Sequence, residues 1–508
     1  MQEKIKQSLA TIRSKKFFTL EYITVSIILV ISFVLRVFRV DQILGFYYDQ
    51  GRDAQVIWDL IHSHKFFLIG PTTGLAGVFR GPFYYYLIAP FYWLGKGNPV
   101  YPAVFLAILS VAALAIMYHL AKKIGGVKTG MIAIILGAFS FEIIYASRWL
   151  SNPTPMLLLS MILVWCMFQI QDGKKYYWVL LSFILGSSFF HFGSSGELFY
   201  FPAVAVFAIW KRKTLNWKII FYSIIAFLVT FLPLFIFNLK HGGILQNNVS
   251  GILTTGSSFG IPTWRFLNDR LALIFVYLTS TLIHSPYEKE WFHLIVLGTV
   301  FIYFLPKLIQ NNRFKVIFIL LASPIIGLIF FQGNYGNFYQ YYLTGYYLIF
   351  LIAVSYTLSH FFETSTIGKV LVIYFLFFFL SQNWSWTKSY LVTTDSGHDI
   401  ILLSNQKAAI DWVYENAGRR DFNVDVYVPP VIPFAYDYLF KWLGTNKYHK
   451  LAVEKQVPLL YTLYEVDPPN PNRLKAWLDR QKGIGKIVKQ QTFGGITVEA
   501  RERILYSK

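Results

Sequence analysis

The chain has 508 residues, 55% of them hydrophobic and 14% charged, with a formal net charge of +20 at pH 7. That balance excludes the soluble globular classes. Lys and Arg fall mainly in short segments between long apolar runs, as in the cytoplasmic loops of a membrane protein, which argues against a nucleic-acid-binding surface. The single cysteine, Cys166, lies inside an apolar run, so neither an intramolecular disulfide nor a Cys metal site is available.

The chain opens with Lys4, Lys6, Arg13, Lys15 and Lys16, followed by an apolar stretch to Leu35 with no small-residue cleavage site after it, which reads as a retained anchor. A bilayer crossing takes about 20 mostly apolar residues. Segments 17–37, 100–121, 129–147, 155–170, 177–190, 198–210, 217–237, 291–305, 314–331, 341–360 and 370–386 are the candidate spans. Segment 82–95 is apolar but short and contains Pro90, which fits an interfacial or re-entrant helix better than a span. Leaving it uncrossed places Lys122, Lys123, Lys128, Lys174, Lys175, Lys211, Arg212, Lys213, Lys307, Arg313 and Lys315 on the side of the basic N-terminus, as the positive-inside rule requires. Residues 39–98 then form a first outer loop and 239–269 a second, with 271–284 read as juxtamembrane. The N-terminus is expected in the cytoplasm of a prokaryotic cell.

From about Tyr390 the composition changes. Residues 406–415 carry apolar positions at helical spacing, 424–428 alternate like a strand, and 495–501 do so again. The expected architecture is a polytopic α-helical membrane region, 1–389, with about 11–13 transmembrane helices. It is followed by a small extracytoplasmic α+β domain, 390–508.

Acids mark the site. Of 26 Asp and Glu, 13 lie after Tyr390, and four of the other 13 (Asp41, Asp49, Asp53 and Asp59) fall within 19 residues of the first outer loop. Ionisable groups at a membrane boundary are costly to desolvate and are functional candidates. Residues 46–54 read Phe-Tyr-Tyr-Asp-Gln-Gly-Arg-Asp-Ala and place Asp49, Gln50, Arg52 and Asp53 together. Asp49 and Arg52 could also be a helix-surface ion pair, Arg80 an interfacial arginine reaching for headgroups, and Arg148 a contact to lipid. His62 and His64 stand two apart, cannot share a helix face and lack a further ligand, so no metal site is supported. His191 reads as structural, and the tyrosines between 339 and 347 as either an aromatic belt or a lipid groove.

Three motifs carry a family resemblance: Tyr48-Asp49-Gln50; Arg80-Gly81-Pro82-Phe83-Tyr84-Tyr85; and the run from Tyr145 through Ser147, Arg148 and Asn152 to Pro153. Together they resemble the GT-C fold glycosyltransferases that use polyprenyl-phosphate sugars, nearest the protein O-mannosyltransferases and lipid A aminoarabinose transferases. The resemblance covers roughly the first 240 residues. Gln50 stands where the family often has a second acid, Asn152 where it often has Asp, and Gly81 where it has the first proline. What it implies is an inverting transfer of a hexosyl or pentosyl group from a polyprenyl-phosphate donor to an outer-face acceptor. Asp49 is then the base, with Asp53 as second carboxylate. Arg80 and Arg148 bind the donor phosphate, and Arg52 and Gln50 support the site. The expected partners are the lipid-linked sugar, membrane lipid, and an acceptor that is a protein, a glycolipid or a cell-wall polymer. Nucleic acid is not among them. No cofactor is certain from the resemblance, and a divalent metal ion is left open. A lipid-linked sugar flippase and a degenerate scaffold are the alternatives. A flippase should place charges along a path through the helices, whereas here the acids gather in one loop, with Glu142 the main exception.

Overall fold

A computed structural model describes residues 2–73, 77–254, 260–284, 291–332, 337–394, 397–429 and 432–504, leaving aside the side chains of 2–19 and 252–254. The basic side chains of the N-terminus and part of the second outer loop therefore lie outside the described residues. The first helix runs Gln2–Val37.

Among the described residues seven helices are long and apolar enough to cross a bilayer, and Met156–Gln171, Tyr177–Phe192 and Gly196–Trp210 are shorter apolar ones. The chain is a multi-pass membrane protein. The stretch Val100–Phe139 is two helices rather than one, because Gly125 and Gly126 leave helical geometry and Gly126 takes φ +81°, a conformation costly for any residue with a Cβ. The halves fold back on each other. A Cβ on Gly130 would lie 2.9 Å from the Tyr118 ring, and one on Gly137 2.6 Å from Leu114. With that division, every one of the expected apolar segments is helical.

A fully buried guanidinium, that of Arg36, ties the first helix to this pair. It donates to Ser110 Oγ at 3.2 Å and to the carbonyls of Ser32, Gly137 and Ala138 at 3.0, 3.2 and 3.3 Å. A buried charge is tolerated only with its donors satisfied. Here the acceptors are main-chain and hydroxyl oxygens instead of an acid.

Segment 82–95 forms the helix Phe83–Leu94, with Pro90 inside it. It lies across one end of the bundle. The Gly81 N–H before it donates to Phe190 O at 2.7 Å, and beyond it the carbonyls of Lys96 and Gly97 accept from Trp442 and Tyr438 in the C-terminal region. Helix Trp264–Thr279 also stays at this end. Arg270 reaches Phe331 O, and His284, just after the helix, meets Glu142 at 3.1 Å. Glu142 opens the short helix Phe141–Ser147.

The last long helix, Thr366–Leu391, leads to a four-stranded sheet: β1 (Asn423–Tyr427), β2 (Leu459–Glu465), β3 (Gly485–Phe493) and β4 (Ile496–Arg503). The order is β1-β2-β4-β3, with β1 and β2 parallel and the other pairs antiparallel. Parallel neighbours need a crossover, which helix Phe434–Leu443 supplies. β3 and β4 are joined by Gly494 and Gly495, where the positive φ of Gly494 suits a tight hairpin. Helix Leu403–Ala417 covers the sheet and contacts the start of the first outer loop, where Gln406 Nε2 donates to Phe46 O at 2.9 Å.

Candidate active site

The acidic motif lies on helix Tyr48–Ser63. Gln50, buried, begins it: its Oε1 accepts from the Tyr47 N–H at 3.1 Å and its Nε2 donates to Leu150 O at 3.2 Å. A carboxylate could not make the second bond, which gives Gln50 a capping and bracing position. Asp49 and Asp53, one turn apart, have opposite surroundings. The Asp49 side chain is 54% exposed and that of Asp53 only 6%, and both meet Arg52, at 2.8 and 2.7 Å. Asp53 Oδ1 also accepts from the Tyr85 hydroxyl at 2.8 Å. Burial pushes the Asp53 carboxyl up to about 6, against the opposing pull of Arg52 and Tyr85.

Arg52 is also the link to the second motif. Its Nη1 donates to Thr72 Oγ1 at 3.0 Å. Thr72 forms an antiparallel bridge with Phe79, and the Arg80 N–H returns to Pro71 O at 2.9 Å. The Arg80 guanidinium donates to Phe189 O at 2.9 Å, on the π-helical turn Ser188–Phe192 that ends the neighbouring helix. Burial lowers its pKa, while the charges of Glu197, Tyr341 and Tyr342 act the other way.

The departures from the family pattern have local causes. A Cβ on Gly81 would lie 2.1 Å from the His191 ring, so proline does not fit there. His191 itself stacks on Phe83 at 3.7 Å, and its Nε2 is 2.6 Å from Thr230 O, a buried structural setting. Asn152 donates to Phe192 O at 2.9 Å, which an aspartate could not do.

Arg148 is engaged elsewhere. Its guanidinium donates to Leu35 O, Arg36 O and Phe38 O at 3.0–3.1 Å and lies 5.3 Å from the Tyr390 ring, so it caps the end of the first helix. His62 bonds Trp58 O at 3.0 Å, and Asp59 pairs with Lys441. Among the described residues no group of three or more His, Cys, Asp or Glu side chains is arranged to hold a metal.

Three further residues lie near these groups, of which Arg270 and Glu197 are not among the sequence candidates and Tyr341 is read there only as part of the tyrosine run. Arg270, 2% exposed, lies 4.8 and 4.9 Å from the rings of Phe266 and Phe338 and within electrostatic reach of Tyr342, as Arg80 is. Tyr341, in the turn Gln340–Tyr346, packs edge-on against Trp149 at 5.7 Å. Glu197 is fully buried; its Oε2 accepts from the Ser194 N–H and Oγ, and its Oε1 has no hydrogen-bond partner. Glu197, an acid beside the Gly-Ser-Ser-Gly turn, and Tyr341, within the tyrosine run, carried a signal in the sequence; Arg270 did not. Beside Arg270, a cavity of about 620 Å³ lined by Leu271, Ile274, Leu294, Phe301, Phe318 and Phe350 is almost wholly apolar.

Residues 80–237, which begin at Arg80, match the family of dolichyl-phosphate-mannose-protein mannosyltransferases. The fold is similar to that of ArnT from Cupriavidus metallidurans bound to undecaprenyl phosphate, with a TM-score of 0.60, 10% identity, and 96% of this chain and 98% of that one covered. The apo state of ArnT gives the same TM-score and coverage at 9% identity. The archaeal oligosaccharyltransferase AglB from Archaeoglobus fulgidus, in complex with an inhibitory peptide and a dolichol-phosphate, is similar at a TM-score of 0.48 and 12% identity, over 93% of this chain and 73% of that one. No curated protein matches the sequence. The molecule is a membrane protein of the GT-C glycosyltransferase fold. Within that class it resembles the protein O-mannosyltransferase and ArnT group, whose ArnT member has been solved with a polyprenyl phosphate bound.

Proposed function

We propose that the chain transfers a hexosyl or pentosyl group from a polyprenyl-phosphate donor to an acceptor on the outer face of a prokaryotic plasma membrane, with inversion. The observation that carries this is the continuous link from Asp49 through Arg52 and Thr72 to the loop holding Arg80. It joins an open carboxylate to a partly buried cation.

Asp49 is the base that takes the acceptor hydroxyl proton as oxygen attacks the anomeric carbon; a positioned base contributes about 10²–10⁴-fold. Asp53, held by Arg52 and Tyr85, fixes Arg52 and through it the direction of Asp49. Arg80 meets the charge that grows on the departing phosphate, where a preplaced guanidinium is most effective. Arg270 is the second cation, and the apolar cavity beside it suits the prenyl chain. Arg148 is left out of the phosphate site because its two terminal nitrogens donate to carbonyls at the end of the first helix. In this reading the N-terminus is cytoplasmic and the C-terminal domain, from about Tyr390, is extracytoplasmic.

The test is turnover and binding of a panel of polyprenyl-phosphate sugars by the protein in nanodiscs, alongside Asp49→Ala and Arg80→Ala. Turnover of one donor, lost in both variants, supports the reading. Transport of an intact lipid-linked sugar without transfer would replace it with the flippase.

A further inference from the structure

The sheet of the C-terminal domain has two edges, and they are treated differently. β3 is guarded: it carries Lys486 and Lys489, and its register breaks between Ile487 and Lys489. Lysines and bulges are the usual devices that keep an edge from pairing with another chain. β1 has neither. It reads Asn-Val-Asp-Val-Tyr, and its one charged side chain, Asp425, is already paired with Arg480 and Gln481 at 3.1 and 2.6 Å. Its inner side pairs with β2 from Asn423 to Tyr427. Among the described residues, no backbone group bonds the main chain of Val424, Asp425 or Val426 from the other side.

A cleft of about 960 Å³ opens against that side. Val424, Asp425 and Val426 all line it. Successive strand residues point to opposite faces, so a cavity reached by three in a row runs along the edge of the sheet. Its charge is unbalanced. Lys441 in its wall is paired with Asp59, which leaves Arg503, bonded to the neutral Asn423 amide, as the one cation without an ion-pair partner among the described lining residues, against two acids. Asp437 and Glu454, also in the wall, have no ion-pair partner among the described residues.

We propose that the open edge of β1 is a docking site for an extended polypeptide segment bearing Lys or Arg, which adds to the sheet as a further strand and sets its basic side chains against Asp437 and Glu454. Strand addition draws affinity from main-chain hydrogen bonds and specificity from side-chain pockets. The wall that holds Asp437 is helix Phe434–Leu443, which also touches the Asp49 helix. The proposal goes beyond the transferase reading and stands without it.

The experiment uses the full chain in nanodiscs and three synthetic octapeptides: alternating Val-Lys, alternating Val-Glu, and the Val-Lys peptide with two valines replaced by proline. Affinity is measured by titration, and amide hydrogen exchange is followed across 423–427. The expected result is saturable binding of the Val-Lys peptide that slows exchange of the β1 amides. The Val-Glu and proline peptides should bind weaker by about tenfold or more. Asp437→Lys with Glu454→Lys should reverse the charge preference. Equal binding of the proline peptide would reduce the effect to surface charge and overturn strand addition. Absence of binding, or protection elsewhere than β1, would overturn the site. Because the proline control alters the ligand and not the protein, the outcome does not depend on the double variant folding.

Discussion

Gly51 and Ala435 are in backbone contact across the two halves of the molecule: a Cβ on Gly51 would lie 2.3 Å from the Ala435 nitrogen. The C-terminal helix Phe434–Leu443 therefore rests on the Asp49 helix where that helix has no side chain. Gln55 Nε2 donates to Phe434 O at 3.1 Å, Tyr48 packs on Phe434 at 4.9 Å, and Lys441 pairs with Asp59 at 3.3 Å. Gly51→Ala forces the helices apart. We expect it to lower stability by about 1–3 kcal/mol, the usual cost of overpacking, and to reduce turnover while the protein still inserts. Thermal unfolding in nanodiscs with a transfer assay checks both. A truncation ending near Ser389 that stays folded and fully active would show that the docked domain does not hold Asp49.

Asp49→Ala removes an exposed carboxylate whose only ion-pair partner among the described residues is Arg52. The transfer rate should fall by about 10²–10⁴-fold with expression and melting temperature near those of the parent. Because an exposed ion pair contributes little to stability, loss of folding in this variant would contradict the geometry.

Arg80→Ala should weaken polyprenyl-phosphate binding by about 10–100-fold, equivalent to a hydrogen bond to a charged group of roughly 1.5–3 kcal/mol. Arg80→Lys should recover only part, since an ammonium cannot keep the bond to Phe189 O and present a planar fork to phosphate. Isothermal titration with undecaprenyl phosphate measures it. Arg148→Lys should leave that affinity unchanged.

Glu465, buried between the Tyr436 hydroxyl at 2.7 Å and Gln406, has its carboxyl pushed up to about 7 by burial, from an ordinary 4.5. Between those values the folded protein binds more protons than the unfolded one, so this group's contribution to stability falls as pH rises through the window. Asp53 acts in the same direction between 3.8 and about 6. Glu465→Gln mimics the protonated form. Its melting temperature relative to the parent should therefore rise from pH 4.5 to pH 7 and then level off. A difference that does not change with pH would show that Glu465 does not titrate there.

Much of the membrane region was legible because lipid imposes long apolar runs with charges between them, a signal independent of tertiary detail. Residues 82–95 were legible as a short helix, with Pro90 inside it. The α+β character of the tail was legible from two strands and a helix, but β2, β3 and the helices at Phe434–Leu443 and Pro471–Ile484 were not read from the sequence. Asp49, Arg52 and Asp53 could be picked out because acids are scarce and local in sequence. Their partners could not: Tyr85 was one tyrosine among several, and Arg270, 190 residues beyond Arg80, comes near the same tyrosine only through the packing of Gln340–Tyr346. Arg148 could not be assigned from the sequence, because what occupies its guanidinium is backbone carbonyl oxygen.

The reversal at Gly125 and Gly126 has a consequence for biogenesis. Two apolar helices turn back on each other with no connecting loop, and Gly130 and Gly137 let their walls touch. Such a pair enters a bilayer as one hairpin, since neither arm has spare chain to wait for the other. An epitope tag inserted between these glycines should block assembly. The same tag in the turn at Gly173, where a connecting segment already separates helix Met156–Gln171 from the helix that begins at Tyr177, should be carried without loss.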